Sequence, residues 1–177
     1  KLTKVGEKGI EEWLDSTSNL GVYGVLSSEN YTLATANIAK LALRHCYKKA
    51  EKKPGMNEKA ALCIVLEEAH ALIPEFNQVA QKSDQDNVNR TARMVLQGRK
   101  YGLGTLIITQ RTANVTKTIL NQCNTIFALQ SFDKTGLEFL TNYVGTDYAH
   151  AISNLPLRHA LLVGKASSSA RPIIFHI

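Results

Sequence analysis

The sequence has few cysteines, few aromatic residues and no long apolar run, and each shortage excludes a class of protein. Its three cysteines include no CxxC pair, which argues against a disulfide framework or a zinc knuckle. No stretch approaches the roughly 18 apolar residues of a membrane span, and no signal-peptide core follows the basic N-terminus. Trp13 and Tyr31 stand alone, so we find no base-stacking platform. We therefore expect a reduced, cytoplasmic protein with no membrane partner.

Acidic residues are missing from one long stretch, residues 87–132. The basic residues of that stretch are Arg90, Arg93, Arg99, Lys100, Arg111 and Lys117. They account for the whole net charge of +6, because the other basic residues balance the 15 acidic ones. A segment of one charge sign attracts phosphate, either of a nucleotide or of a nucleic-acid backbone. The alternative is a basic surface whose acidic neighbours come from elsewhere in the chain.

Apolar runs alternate with helical patterns along most of the 177 residues, a length that suits one domain. The predicted strands are residues 20–27, 61–66, 105–109, 125–130, 159–164 and 172–177. The predicted helices are residues 32–53, 88–101, 115–123, 134–144 and 147–154, and the polar residues 83–89 are predicted as a loop. The first of these helices has an apolar stripe of Leu33, Ile38, Leu41 and Ala42. The alternation predicts an α/β fold: a mostly parallel sheet flanked by helices, with a C-terminal strand pair.

The sharpest chemical feature is a pair of glutamates at the end of an apolar run. Glu67 and Glu68 follow residues 61–66 (ALCIVL) directly. Such a run is typical of a central parallel strand, and ligands of open α/β sheets bind at the carboxyl ends of these strands. One carboxylate can hold a hydrated Mg²⁺ while its neighbour orients or deprotonates a water. This is the Walker B arrangement of nucleoside triphosphatases; the alternative is two solvated acids at a strand end.

Polar residues also follow the predicted strand 105–109, in the order Thr109, Gln110 and Arg111. They should lie at the same edge of the sheet as the two glutamates. The Gln110 amide can donate to a γ-phosphate oxygen and accept from a water, as a sensor residue does. The alternative is a polar strand cap. His70 follows the acid pair and is interpreted as a packed structural histidine or as a hydrogen-bonding neighbour of the site.

Two arginines are candidates for a role in a neighbouring subunit. Arg99 stands shortly before the glycine turn at Gly102. A guanidinium at such a turn can project across an interface and stabilise charge on a transferring phosphoryl group, as an arginine finger does. Arg93, six residues earlier, is the competing candidate. Either one is alternatively an ordinary surface arginine.

Several stretches, in the right order, resemble HerA-like proteins of the HerA/FtsK group of ring-forming, DNA-translocating motors. They are residues 65–74 (VLEEAHALIP), 98–104 (GRKYGLG), 108–111 (ITQR) and 120–125 (LNQCNT), followed by the terminal strands. The resemblance implies that the chain is the C-terminal part of a single RecA-like (P-loop NTPase) domain. Residues 1–19 would then be a lead-in, Walker B would lie near 62–70, the sensor strand at 105–110 and the terminal strands at 159–177.

The resemblance also implies roles for the polar residues. The residues that it assigns to the site are Glu67, Glu68, Thr109, Gln110, Arg99 and Arg93. Glu68 would be the catalytic carboxylate, and Glu67 would hold Mg²⁺ through water in place of the Asp of many Walker B strands. Gln110 would sense the γ-phosphate, Thr109 would contact the nucleotide, and one of the two arginines would act in trans. The implied substrate is ATP, and the implied partners are double-stranded DNA, further copies in a hexameric ring, and a nuclease or other effector protein.

One expected element is missing, since the sequence contains no GxxxxGK[ST] motif. Without that phosphate-binding loop, affinity for the β- and γ-phosphates should be weak. In RecA-like sheets the strand before the loop lies between the strands predicted here at 105–109 and 125–130, so a gap should remain between them. We therefore expect the upstream half to lie outside this chain, which begins at Lys1 rather than Met. The alternative is a smaller closed sheet with no nucleotide site.

Two other functions remain open at this point. One is a non-catalytic module that binds DNA or protein and keeps the sheet without the chemistry. The missing phosphate loop favours it, whereas the acid pair, Gln110 and Arg99 disfavour it. The other is a related ATPase of conjugation or DNA packaging, which would share the same core.

Overall fold

The computed structural model describes residues 6–16, 30–52 and 62–177. Its α-helices are α1 Glu7–Asp15, α2 Tyr31–Lys52, α3 Ala69–Leu72, α4 Lys82–Gly98, α5 Lys117–Leu120, α6 Lys134–Val144 and α7 Thr146–Ser153. Its strands are β1 Leu62–Leu66, β2 Leu103–Ile107, β3 Thr125–Leu129, β4 His159–Gly164 and β5 Ile173–His176. The predicted strand 20–27 lies outside the described residues. The chain forms two compact units, Lys1–Thr109 and Gln110–Ile177.

The first unit is built on a parallel pair of strands. β1 and β2 run in register from Leu62 opposite Leu103 to Leu66 opposite Ile107. The ladder continues past the strand ends, because the Ile108 N–H donates to the Leu66 carbonyl at 2.9 Å. The α/β class and the parallel pairing are therefore confirmed. β2 begins two residues before the predicted position 105.

Helix α2 packs against α4, and many of its buried side chains are small. Its buried positions include Ala36, Ala39, Ala42 and Cys46, spaced three or four residues apart along one face. Leu33 is 44% exposed, so the prediction that it belongs to the apolar stripe is wrong. Leu41 and Ala42 of the predicted stripe are buried, and Ala42 and Cys46 pack against Leu103 of β2.

Residues 83–89 are helical, and the prediction of a loop there is wrong. Their polar side chains form the first turns of α4, where tertiary hydrogen bonds compensate for low helix propensity. Asp84 Oδ1 accepts from the hydroxyl of Thr32 at 2.9 Å, and Asn87 Nδ2 donates to the same hydroxyl at 3.3 Å. The start of α4 is thereby tied to the start of α2.

The lead-in 1–19 contains helix α1, which was not predicted. α1 packs along α2, with Leu14 buried between them. An ion pair joins Glu11 to Arg44 at 3.8 Å, and the Asp15 carboxylate lies 3.2 Å from His45 Nδ1. Among the described helices, none is both long enough and apolar enough to cross a membrane.

The second unit is an antiparallel sheet covered on one face by two helices. β4 lies in the middle and pairs with β3 and with β5. The core between sheet and helices includes Ala128, Leu140, Ile152 and Leu161. The predicted C-terminal strand pair is confirmed, but β3 is antiparallel and does not extend a parallel sheet. Two helices separate β3 from β4, whereas a parallel return is typically made by a single crossover helix.

The described strands form two separate sheets. β2 pairs with β1, β3 pairs with β4, and no ladder joins β2 to β3 among the described strands. The alternative of one smaller closed sheet is therefore not what these strands form.

Candidate functional site

The two glutamates lie at the carboxyl end of β1. Leu66, the last residue of the strand, is buried, and both Glu67 and Glu68 are exposed to solvent. The Glu68 side chain is 57% exposed. Exposure of the acids follows from the sequence, because the apolar run stops where the carboxylates begin. The prediction that this run is a central strand is not what the described strands show, since β1 pairs with β2 alone among them and Cys63 and Val65 are exposed. Both carboxylates therefore stand at the edge of the β1–β2 sheet with access to water.

Glu68 has a left-handed backbone, with φ 51° and ψ 47°. This conformation costs a non-glycine residue about 1–2 kcal/mol, so neighbouring hydrogen bonds must hold it. The Glu68 carbonyl accepts from the Ala71 N–H at 2.8 Å, and the next amide, of Ala69, donates to the Ile108 carbonyl at 3.0 Å. The backbone at Glu68 is thus fixed on one side by α3 and on the other by the segment after β2.

His70 lies beside Glu68, the candidate catalytic carboxylate. Its Nδ1 is 3.3 Å from Glu68 Oε2, and its side chain is 24% exposed. The two atoms do not form a hydrogen bond, and within the described residues this solvent-shielded nitrogen has no hydrogen-bond partner. His70 is therefore a partly buried neighbour of Glu68 that makes no hydrogen bond through Nδ1 to any described residue. The sequence shows that His70 follows Glu68 by two residues. This spacing does not predict a contact between them, because residues two apart in a helix do not face each other.

The end of β2 lies beside the end of β1, as predicted. Thr109 follows Ile108, whose amide and carbonyl both bond to the β1–α3 connection, so Thr109 stands near the edge that carries the glutamates. Thr109 is partly buried. Gln110 is exposed and is the first residue of the second unit, so its closeness to the glutamates remains a prediction from chain connectivity.

The two arginines lie elsewhere in the first unit. Arg99 is exposed and stands after α4, directly before β2 begins, so it lies at the opposite end of the strands from the glutamates. Five strand residues span about 17 Å, more than an arginine side chain bridges. Arg93 is exposed in the middle of α4, about 9 Å along the helix from Arg99. Arg99 therefore lies too far from Glu68 of its own chain to contact it.

The donor set at this edge fits a hydrated Mg²⁺. Glu67 and Glu68 offer carboxylate oxygens, the hard ligands that this ion prefers. The described residues contain no group of three or more His, Cys, Asp or Glu side chains that could enclose a metal. An ion here would keep most of its water or take oxygens from a substrate, as Mg²⁺ does in triphosphatases.

The chain is similar in sequence to archaeal helicases. It is 26% identical over 120 residues to the DNA double-strand break repair helicase HerA of Saccharolobus solfataricus, which is 66% of this chain and 22% of that protein. The Pyrococcus furiosus HerA is 26% identical over 108 residues, 59% of this chain and 18% of that protein. A probable helicase of Methanocaldococcus jannaschii is 29% identical over 110 residues, 58% of this chain and 19% of that protein. The chain thus spans about a fifth of the length of these relatives.

The fold is similar to that of a viral genome packaging NTPase. The B204 protein of Sulfolobus turreted icosahedral virus 2, in complex with AMPPCP, aligns with a TM-score of 0.64 at 14% identity. That alignment covers 98% of this chain and 71% of B204. A B204 structure with ATP-gammaS aligns with a TM-score of 0.57 at 16% identity, over 84% of this chain and 64% of that one. No family model matches the chain. The helicase relatives confirm the resemblance to HerA-like proteins that the motifs indicated, and the solved structures show a shared fold.

Proposed function

We propose that this chain supplies the catalytic carboxylates of an ATP-hydrolysing, DNA-translocating motor of the HerA type. The observation that carries the proposal is the pair Glu67 and Glu68, exposed at the carboxyl edge of a parallel strand pair in a chain similar to HerA helicases. The carboxyl edge is where open α/β sheets bind their ligands. In this proposal the chain is the C-terminal part of a RecA-like domain, and the phosphate-binding loop comes from outside the 177 residues.

Each residue has a role that its position allows. Glu68 orients and deprotonates the attacking water, and its fixed backbone keeps the carboxylate at the edge where substrate binds. Glu67 binds the hydration shell of the metal. Gln110, next to Thr109 at the end of β2, donates to the terminal phosphate of the substrate. When bound, Mg²⁺ would neutralise phosphate charge.

The arginine function requires an assembly of several copies. Arg99 stands at the far end of the strands from the glutamates of its own chain, so a finger at this position acts only across an interface. A closed ring, hexameric by analogy with the HerA type, gives every site one neighbour. The partners that this function requires are double-stranded DNA and the other copies in the ring, and a nuclease or another effector fits the same scheme.

The test is the substitution Glu68→Gln in the longest polypeptide that contains this chain, assembled with its phosphate-binding region. We expect DNA-stimulated ATP hydrolysis to fall at least about 100-fold, because general-base catalysis commonly contributes 10²–10⁴. The matched control is Glu138→Gln, at an exposed glutamate on α6, which should leave turnover unchanged. Undiminished hydrolysis by the Glu68 variant would remove the catalytic assignment.

A second candidate function is a non-catalytic DNA-binding or interaction module. The absence of a GxxxxGK[ST] motif from these 177 residues favours it. ATP titration distinguishes the two functions: the catalytic proposal expects binding by the longer polypeptide, and the module expects none by either form.

A further inference from the structure

We propose that His70 is a positioning residue that holds the carboxylate of Glu68 through its Nδ1–H. The inference rests on the proposed ATPase function and adds a residue to the same site. Two observations support it: the contact between the side chains and the backbone conformation that makes the contact possible.

The contact is close and partly shielded. His70 Nδ1 lies 3.3 Å from Glu68 Oε2, and this nitrogen is buried although the ring is 24% exposed. With its proton on Nδ1, the imidazole would have a shielded N–H without a partner, and a small rotation that lines this group up with the carboxylate would then be favourable. Glu68 is 57% exposed and has room to make that rotation.

The backbone explains why the two side chains meet at all. In a regular helix, residues two apart point to nearly opposite sides. The left-handed conformation of Glu68 breaks this geometry at the start of α3 and turns its carboxylate toward His70. α3 itself is anchored, because Ala69 and Ile73 are fully buried and joined by a 2.8 Å hydrogen bond. The histidine is therefore on an anchored helix next to an exposed carboxylate.

This arrangement gives His70 a specific task. An exposed glutamate samples several rotamers, and only some of them point toward an attacking water. A hydrogen bond from Nδ1 limits that freedom and leaves the second carboxylate oxygen for the water. His70 contributes to turnover through Glu68 and need not touch the nucleotide.

The experiment compares His70→Ala and His70→Asn in the same assembled protein, with His150→Ala on α7 as the control. We expect His70→Ala to lower kcat for ATP about tenfold with KM changed less than twofold. His70→Asn should keep at least half of the turnover, because its Nδ2 occupies nearly the position of Nδ1. His70→Ala should not slow a Glu68→Gln variant further, since the effect passes through Glu68. Turnover by His70→Ala equal to that of the unmodified protein overturns the proposal.

A second readout does not depend on activity. In protein carrying ¹⁵N-labelled histidine, the His70 ring should be protonated at Nδ1, and Glu68→Ala should shift it toward the Nε2-protonated tautomer. An Nε2–H tautomer in the unmodified protein contradicts the proposal even if a His70 variant folds poorly. The two proposals fail separately: full activity of Glu68→Gln removes the ATPase assignment, whereas an inactive Glu68→Gln beside a fully active His70→Ala removes only the role of His70.

Discussion

At the scale of the residue, His45 shows how local charge and burial act on one side chain. Burial is the largest cause that lowers the pKa of His45, and the charges of Lys49 and Lys48 lower it as well. Asp15, whose Oδ1 lies 3.2 Å from His45 Nδ1, raises it but does not outweigh the other causes. The folded chain therefore holds this histidine in its neutral form more strongly than the unfolded chain does.

This lowered pKa predicts a pH dependence of stability. Below about pH 6.5 the unfolded state takes up the proton first, so the free energy of unfolding should decrease as the pH falls through that range. The contribution is fully present above the ordinary histidine pKa. Urea denaturation at pH 8 and pH 5 should show a smaller loss for His45→Gln than for the unmodified chain. An identical loss in both proteins contradicts the assignment, and His150→Gln on α7 serves as the control.

The acid pair and the histidine beside it differ in how far sequence alone could predict them. An apolar run that stops at two glutamates is sufficient to place Glu67 and Glu68 at a strand end. The left-handed backbone of Glu68 has no sequence signal, because such positions usually carry glycine or asparagine. Without that conformation, a contact between Glu68 and His70 is not expected.

At the scale of the element, the sequence predicted a helix accurately where capping residues stand at both of its ends. Helix α6 matches its predicted range 134–144, with Asp133 before it and Gly145, at φ 83°, after it. The start of α4 depends instead on Asn30 and Thr32, which are more than 50 residues away in sequence. A polar segment held by distant partners looks like a loop until those partners are known. The same reason applies to α1, which pairs with the far end of α2.

The cap of α6 gives a prediction at this scale. Asp133 accepts hydrogen bonds from the Thr135 N–H at 3.3 Å, the Gly136 N–H at 3.0 Å and the Thr135 hydroxyl at 2.8 Å. Asp133→Ala should lower the free energy of unfolding by about 1 kcal/mol, since it leaves helix N–H groups without an acceptor. Asp133→Asn should change it by much less, because asparagine caps equally well. Urea denaturation measures both, and equal losses in the two variants would show that the cap is not the cause.

At the scale of the whole molecule, the chain consists of two compact units with different sheets. The first unit carries the glutamates at the end of its parallel strand pair and both candidate arginines in and after α4, and the antiparallel sheet follows from Gln110 onward. The prediction of a single RecA-like domain stays a prediction. What the sequence could not reveal is the second sheet's antiparallel order, because strand direction depends on the path of α6 and α7 and not on the composition of β3.

The in-trans role of an arginine predicts complementation between inactive copies. Glu68→Gln and Arg99→Ala should each abolish ATP hydrolysis in the assembled protein. An equal mixture should regain about a quarter of the normal rate, because a quarter of the interfaces then combine an intact glutamate with an intact arginine. The measurement is steady-state ATPase activity after the two variants are unfolded, mixed and reassembled.

Two further variants belong to the same experiment: Arg93→Ala tests the competing arginine, and Arg90→Ala is a control. If Arg93 is the finger, its variant complements Glu68→Gln while Arg99→Ala keeps its activity. Arg90, exposed on α4, is the matched control and should be dispensable. A mixture that stays inactive with both Arg93→Ala and Arg99→Ala would contradict catalysis across the interface.

The left-handed backbone of Glu68 has a consequence for protein engineering. Glycine adopts this conformation without the cost that glutamate bears, so Glu68→Gly relieves strain at the position where the proposed chemistry takes place. A directed-evolution campaign that selects only for heat resistance would therefore tend to enrich an inert protein. Thermostable variants of this chain need a selection that scores turnover in the same round.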